Sequence, residues 1–277
     1  MKKVCAITMV RNDELFLKRW VAYYAKELGE ENLYVLMDGK DQQAPDFCRN
    51  VNVTICERVG GKVARADKGR IELISATAAE LFKKYDIVIG TDVDEFLVVD
   101  PLVGKSLPEY LSTIKNKYTV SGLGIDVGQH LDNESELLAD LPVLNQRKYG
   151  YLSSRYTKTN TLMRPQQWGS GFHRVKGCNY HIDPNLYLFH LGSVDMMLLQ
   201  KRMNETDRVA NGWSRHLKKR ARTILIITKA KVLSWDKTIP LVRTMQRFCR
   251  PIFALNKPTV FGLKFVVEIP ERFSNII

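Results

Sequence analysis

The sequence lacks the features that mark several common classes of protein. Its 277 residues include only five cysteines, irregularly spaced and without a C-x-x-C pair, which excludes a disulfide scaffold and the usual zinc or redox motifs. No apolar run approaches the ~18 residues of a membrane-spanning helix. The apolar run at 4–10 is too short for a secretory signal. No internal repeat is present, and no glycine-rich phosphate loop follows the first apolar run. We therefore expect a cytoplasmic globular protein.

The chain does have a very uneven distribution of charge. Residues 1–140 carry 18 Lys and Arg against 23 Asp and Glu, a net charge of −5. Residues 141–277 carry 24 against 7, a net charge of +17. The basic half indicates an anionic partner, which would be nucleic acid, a membrane surface or a phosphorylated acceptor. Charge by itself does not choose among these three.

Short apolar runs alternate with helical periodicity in the first hundred residues. Strands are predicted at 4–10, 33–38, 51–57 and from 86, and helices after Asp13 and at 70–84. This alternation predicts an α/β fold with a mostly parallel sheet flanked by helices. Later strands are predicted at 119–127 and 186–192, and a helix at 195–210. Ligands of such sheets bind beyond the carboxyl ends of the strands.

The sharpest motif is Asp92-Val93-Asp94, which directly follows an apolar strand. Side chains two residues apart on a strand share a face, so both carboxylates are expected to point the same way. Together they would bind one hard divalent cation, Mg²⁺ or Mn²⁺. A solvated acidic turn would contain the same three residues, but the position at the edge of a parallel sheet favours the metal.

Several motifs occur in an order that resembles the GT-A-fold glycosyltransferases, and within them the family-2-like and family-92-like branch. They are VRNDELFLKRWVAYYAKELG, LYVLMDG, DIVIGTDVDEFL, FHRVKG and LFHLGSVD, which lie between residues 4 and 200. The chain departs from the branch at Tyr24, where His is frequent, and at Arg70, where Gln is frequent.

The resemblance implies a metal-dependent, hexosyltransferase-like enzyme. It would transfer a sugar from a nucleotide-sugar donor to a hydroxyl of a glycan or lipid-linked acceptor, in surface polysaccharide synthesis. The GT-A domain would occupy 1–212, with a nucleotide-sugar-binding half at 1–100 and an acceptor half at 101–212. A basic helical C-terminal extension would occupy 213–277 and dock peripherally on the inner, anionic face of a membrane.

The resemblance also assigns roles to individual residues. Asp92, Asp94 and His190 would bind Mn²⁺ or Mg²⁺, although His190 in an apolar strand is equally typical of a core residue. Asp38 would bind the base or ribose of the donor. The positions of other residues, rather than the resemblance, place Arg11 and Asn12 in the donor site at the end of the first strand, and Arg65 and Arg70 before the helix that leads to Asp92. His173 would face the diphosphate or the acceptor. Other interpretations stay open here, because Asp38-Gly39 is a turn signal, Asn12-Asp13 can cap a helix, and the arginines can lie on a solvated face.

The catalytic base is predicted with least support from the sequence. An inverting transfer needs a group that deprotonates the acceptor hydroxyl, whereas a retaining transfer needs no such base. Asp126 is the preferred candidate and Glu95 is another, and Asp132, Glu134 and Glu136 lie in the same region of the sequence. The alternative function is a nucleic-acid-binding or other phosphate-handling α/β protein that uses the basic half. No helix-turn-helix or RNA-binding sheet is recognisable in the sequence, so we expect nucleic acid not to be the partner.

Overall fold

The first half of the chain builds a parallel sheet, as the sequence predicts. The computed structural model describes residues 1–61, 63–175, 181–205, 214–249 and 263–277, without the side chains of 63, 64 and 214–220. Strands β1 (Val4–Val10), β2 (Leu33–Asp38), β3 (Asn52–Cys56) and β4 (Ile87–Gly90) lie side by side in the order β4-β1-β2-β3. All three pairings among them are parallel. Helices α1 (Glu14–Leu28) and α2 (Val63–Leu81) make the connections after β1 and β3.

Alternate side chains of β1 face the two layers of helices. One set shares a core cluster with Trp20 of α1: Val4, Ala6 and Val10. The other set shares a second cluster with Ile71 and Ile74 of α2: Cys5, Ile7 and Met9. A strand that buries both faces reads as a continuous apolar run, which explains why VCAITMV is recognisable in the sequence.

After β4 the chain extends this sheet with strands of both directions. The added strands are β5 (Glu95–Val99), β6 (Thr119–Gly128), β7 (Tyr149–Leu152), β8 (Thr161–Leu162), β9 (Ile182–Ser193), β10 (Val232–Leu233) and β11 (Val266–Glu268). Strand β8 lies antiparallel between β4 and β6, and β9 runs parallel to β6 and antiparallel to β5. The predicted α/β class is therefore confirmed, with the parallel strands concentrated in the first half.

Five further α-helices lie in the described residues, and of these the sequence predicts the one at 195–210 and helical structure after 213. They are α3 (Leu107–Thr113), α4 (Val143–Gln146), α5 (Met196–Asn204), α6 (Ser214–Lys229) and α7 (Trp235–Phe248). Helix α2 begins seven residues before the predicted start at 70, because its first turns carry few apolar residues. The Asp195 carboxylate accepts from the Leu198 amide at 2.9 Å and caps α5. Residues 206–210 of the predicted helix lie outside the described residues.

The segment predicted as a helical extension, 213–277, also contains strands. Strand β11 pairs antiparallel with β7, and β10 pairs parallel with β11. The rings of Trp235 and Phe273 pack with Tyr187 and Phe189 of β9, within the same core cluster as β1. Sequence periodicity missed these short strands because each has only two or three residues. No helix in the described part of the chain is long and apolar enough to cross a membrane.

Candidate functional site

The turn after β4 carries the acidic motif, and three contacts fix its position. The indole Nε1 of Trp20 donates to the Thr91 hydroxyl at 2.8 Å. The Thr8 hydroxyl donates to the Thr91 carbonyl at 2.9 Å. The Glu95 amide donates to the Asp92 carbonyl at 3.0 Å and closes the turn before β5. Residues 91–94 are therefore a turn and not the end of a strand.

The two carboxylates of the motif face different partners, which corrects the expectation that they point the same way. Asp92 accepts from Arg70 Nη1 through Oδ1 and from Lys158 Nζ through Oδ2, each at 2.7 Å. Asp94 Oδ2 instead lies 3.5 Å from Nε2 of His190. The alternation of side chains along a strand does not apply in a turn, so spacing alone did not determine their directions.

Lys158 is the residue of this site that the sequence did not predict. Its Nζ lies 2.7 Å from Asp92 Oδ2 and 2.5 Å from Glu95 Oε1, and its side chain is only 4% exposed. It belongs to the stretch YTKTNT at 156–161, where no periodicity or motif distinguishes a buried lysine from a solvated one. Only the strand pairing that brings 156–162 beside β4 and β6 places it against the acidic turn.

Asp92 and the cationic side chains around it stabilise one another in their ionised forms. Burial acts to raise the pKa of Asp92, but Lys158 and Arg70 outweigh it and hold that pKa well below its usual value. Burial acts to lower the pKa of Lys158, and Asp92 and Glu95 reverse that effect and raise it. Burial raises the pKa of Glu95 to about 7 against the opposing effect of Lys158. Asp92 and Lys158 are therefore ionised at neutral pH.

His190 lies on β9 between two carboxylates. Its Nδ1 is 2.7 Å from Asp126 Oδ1, and the Thr223 hydroxyl donates to Asp126 Oδ2 at 2.7 Å. The ring of Tyr156 stacks on the imidazole with centroids 3.7 Å apart. When a carboxylate accepts a hydrogen bond from Nδ1 of a neutral histidine, Nε2 carries the lone pair. Metal-binding histidines commonly have a carboxylate in the position that Asp126 occupies here.

The other nitrogen of His190 faces Asp94 without a hydrogen bond. Its Nε2 is buried and makes none within the described residues, although Asp94 Oδ2 is 3.5 Å away. Burial acts to lower the pKa of His190, but Asp94 and Asp126 outweigh it and raise that pKa. The two carboxylates therefore favour a positive charge on the imidazole of His190.

The predicted metal ligands fit a divalent cation only in part. Asp94 and His190 offer an oxygen and a nitrogen that face each other, whereas both oxygens of Asp92 contact cationic side chains. Within the described residues, no three His, Cys, Asp or Glu side chains gather in a way that could hold a metal ion. Mg²⁺ is often bound by one or two protein ligands together with substrate phosphates, so two ligands do suffice. Metal binding stays a prediction.

Both predicted catalytic carboxylates are buried. Asp126 is 2% exposed and both of its oxygens are engaged, by His190 and Thr223. Glu95 is fully buried, with Oε1 against Lys158 and Oε2 accepting from the Asp92 amide at 3.3 Å. In this arrangement each carboxylate positions another group of the site. Their role as catalytic base stays a prediction.

Arg11 and Asp38 lie together at the carboxyl ends of β1 and β2. Arg11 Nη1 donates to the Asp38 carbonyl at 2.7 Å, and the same guanidinium binds Asp41 through both Nη atoms at 2.9 and 2.7 Å. Asp38 Oδ1 accepts from the Val59 amide at 2.7 Å, which fixes the loop after β3. These contacts order the segments that follow the first three strands.

The other predicted donor-binding residues lie around the same edge of the sheet. Asn12 has a positive φ of 50° and exchanges two hydrogen bonds with Gln42, at 2.9 and 3.1 Å. Arg65 is exposed near the start of α2. His173 is half-buried and follows Phe172, whose ring centroid lies 5.5 Å from the Arg70 guanidinium and 5.9 Å from Lys158 Nζ.

A glycine in β6 permits the close approach that places Tyr156 and Lys158. A Cβ on Gly124 would overlap the backbone of Tyr156 and Thr157. We therefore expect Gly124→Ala to lower the free energy of unfolding by about 1–3 kcal/mol, measured by urea denaturation. Gly60→Ala is the matched control, since nothing lies within 4 Å of its added carbon. Equal stability of the two variants would contradict this close packing.

Comparison with known proteins adds little to this description. No model of a protein family and no curated protein matches the chain. Among solved structures, one similar to this chain is a mannose-1-phosphate geranyltransferase from Thermus thermophilus. The alignment covers 98% of this chain and 76% of that one, at 10% identity and a TM-score of 0.32. So weak a likeness supports no inference about activity.

Proposed function

We propose that this protein is a glycosyltransferase that moves a sugar from a nucleotide-sugar donor to a hydroxyl of a glycan or lipid-linked acceptor. The observation that carries the proposal is the pair Asp94 and His190, which face each other beyond the carboxyl end of β4 with Asp126 behind the imidazole. Arg11 and Asp38 lie at the ends of β1 and β2 on the same edge. Open α/β sheets bind nucleotides in this region.

The chemistry of the site agrees with the departure of a nucleoside diphosphate. A divalent cation, Mn²⁺ or Mg²⁺, would supply Lewis-acid stabilisation of the charge that develops on the leaving group. In this chain Asp94 and His190 would hold it, and Asp126 fixes the orientation of His190. Arg70 and Lys158 neutralise Asp92 and so reduce its repulsion of the donor phosphates.

Part of the basic charge of the second half serves the fold. Three arginines are paired with internal carboxylates: Arg147 with Asp195, Arg202 with Asp13, and Arg272 with Asp100. These pairs leave fewer cations for any polyanionic partner, whether nucleic acid or a membrane surface, than the net charge suggests. We propose that the remaining basic residues dock the protein on the inner, anionic face of a membrane, where surface polysaccharides are assembled on lipid-linked acceptors.

The donor site is tested by calorimetric titration with UDP, GDP, CDP and dTDP, each with Mn²⁺ and with EDTA. We expect one nucleotide to bind in the presence of Mn²⁺. Asp94→Ala should weaken that binding by more than about 100-fold, because even the loss of a residue behind a metal ligand costs ~10–100-fold. Asp46→Ala, whose side chain is 94% exposed, is the control and should bind like the wild type. Absence of binding to all four nucleotides would contradict the proposed function.

A further inference from the structure

The buried Lys158 contacts two carboxylates of this acidic site, so its effect extends beyond the neutralisation of Asp92. The Lys158 side chain is 4% exposed, and its Nζ lies 5.9 Å from the ring centroids of both Tyr156 and Phe172. Removing an ammonium group from water is costly unless carboxylates pair with it. Here two carboxylates do so, those of Asp92 and Glu95. These two ion pairs hold the Lys158 ammonium group in a fixed position inside the site.

The contacts of Lys158 and Arg70 divide the acidic motif into two parts. Both oxygens of Asp92 accept from these cations at 2.7 Å. Asp94 is turned the other way, towards His190. One carboxylate of the motif is thus neutralised by the protein itself, and the other faces an imidazole nitrogen that makes no hydrogen bond within the described residues.

We propose that Lys158 is a built-in cation that withholds Asp92 and Glu95 from a divalent metal ion. Among the described residues, Asp94 and His190 then remain as direct ligands of the metal ion, and the ammonium group repels it. Metal alone binds weakly, and the diphosphate of the donor adds the oxygens that complete its coordination. This last step rests on the proposed function, whereas the effect of Lys158 on the metal does not.

The balance of charge gives the direction of the effect. Among the side chains that the structure describes, five carboxylates lie in this cluster against three cationic or protonatable side chains: Asp67, Asp92, Asp94, Glu95 and Asp126 against Arg70, Lys158 and His190. Loss of the Lys158 charge increases the acidic excess and frees Asp92 Oδ2. Because a buried charge acts through a low effective dielectric constant, the gain in metal affinity is large.

The test is titration with Mn²⁺ alone, with free Mn²⁺ measured by electron paramagnetic resonance. We expect Lys158→Met to bind Mn²⁺ about 10–100-fold more tightly than the wild type. Lys158→Arg keeps the charge and should bind like the wild type. Lys68→Met removes one charge from a 73% exposed position on α2 and should also leave the affinity unchanged. Equal or weaker Mn²⁺ binding by Lys158→Met would overturn the inference.

A second pair of variants keeps the inference falsifiable if Lys158→Met does not fold. The double variant Glu95→Gln with Lys158→Met removes both members of one buried contact, so Asp92 Oδ2 is released without leaving the Glu95 carboxyl group unpaired. It should bind Mn²⁺ about tenfold more tightly than Glu95→Gln alone, and equal affinities would overturn the inference. The Mn²⁺ titrations contain no nucleotide. Failure of UDP, GDP, CDP and dTDP to bind in the separate calorimetric titration would therefore contradict the proposed function without affecting the inference about Lys158.

Discussion

Replacing Lys158 with methionine should lower the free energy of unfolding by about 3–5 kcal/mol. The substitution leaves Asp92 and Glu95 buried without the ammonium group that both contact. Removing one partner of a buried ion pair is costly because the desolvated charge of the other partner stays behind. Urea denaturation followed by circular dichroism measures the change.

Two controls give this experiment its specificity. Lys68→Met removes the same charge from an exposed position and should change stability by less than about 0.5 kcal/mol. Adding Glu95→Gln to Lys158→Met should restore part of the lost stability, because one uncompensated carboxylate disappears. A Lys158→Met protein as stable as the wild type would show that Lys158 does not neutralise the acidic turn.

Replacing Phe273 with alanine should lower the free energy of unfolding by about 3–5 kcal/mol. Its ring is fully buried, with centroids 5.6 Å from Tyr187, 5.4 Å from Phe189 and 5.3 Å from Trp235. Tyr187 and Phe189 lie on β9, the strand that carries His190. A cavity here would therefore loosen the strand that supports the candidate metal ligand.

Phe248→Ala is the matched control for this prediction. Phe248 is 83% exposed at the end of α7, so its loss should change stability by less than about 0.5 kcal/mol. Equal destabilisation by the two substitutions would contradict the packing of the C-terminal residues against β9. Thermal unfolding gives an independent measurement of the same difference.

The sequence could predict the first half of the fold because its signals are local. β1 and β4 bury both faces and are continuous apolar runs, and α1 and α2 place apolar residues at helical spacing. The same local signals placed Asp92 and Asp94 directly after a buried strand. These signals did not predict β8, β10 and β11, because strands of two or three residues have no recognisable period.

The candidate site could be predicted as a set of positions but not as a set of contacts. Asp94 and His190 were predicted together through a resemblance, and they face each other at 3.5 Å. Asp126 was predicted as a base, and the structure places it behind His190 at 2.7 Å. Arg70 was predicted to bind the donor, and the structure pairs it with Asp92. These partners lie far apart in the sequence, where no periodic signal connects them.

By itself the sequence determined the α/β class, the parallel strands and the edge of the sheet where polar residues collect. These properties depend on hydrophobic periodicity, which is visible within a short stretch of neighbouring residues. Only the tertiary structure decided that Asp92 faces Lys158 and Arg70 while Asp94 faces His190. Which charges meet inside a protein depends on pairings across the whole chain, and burial then makes those few contacts strong enough to determine what the site can bind.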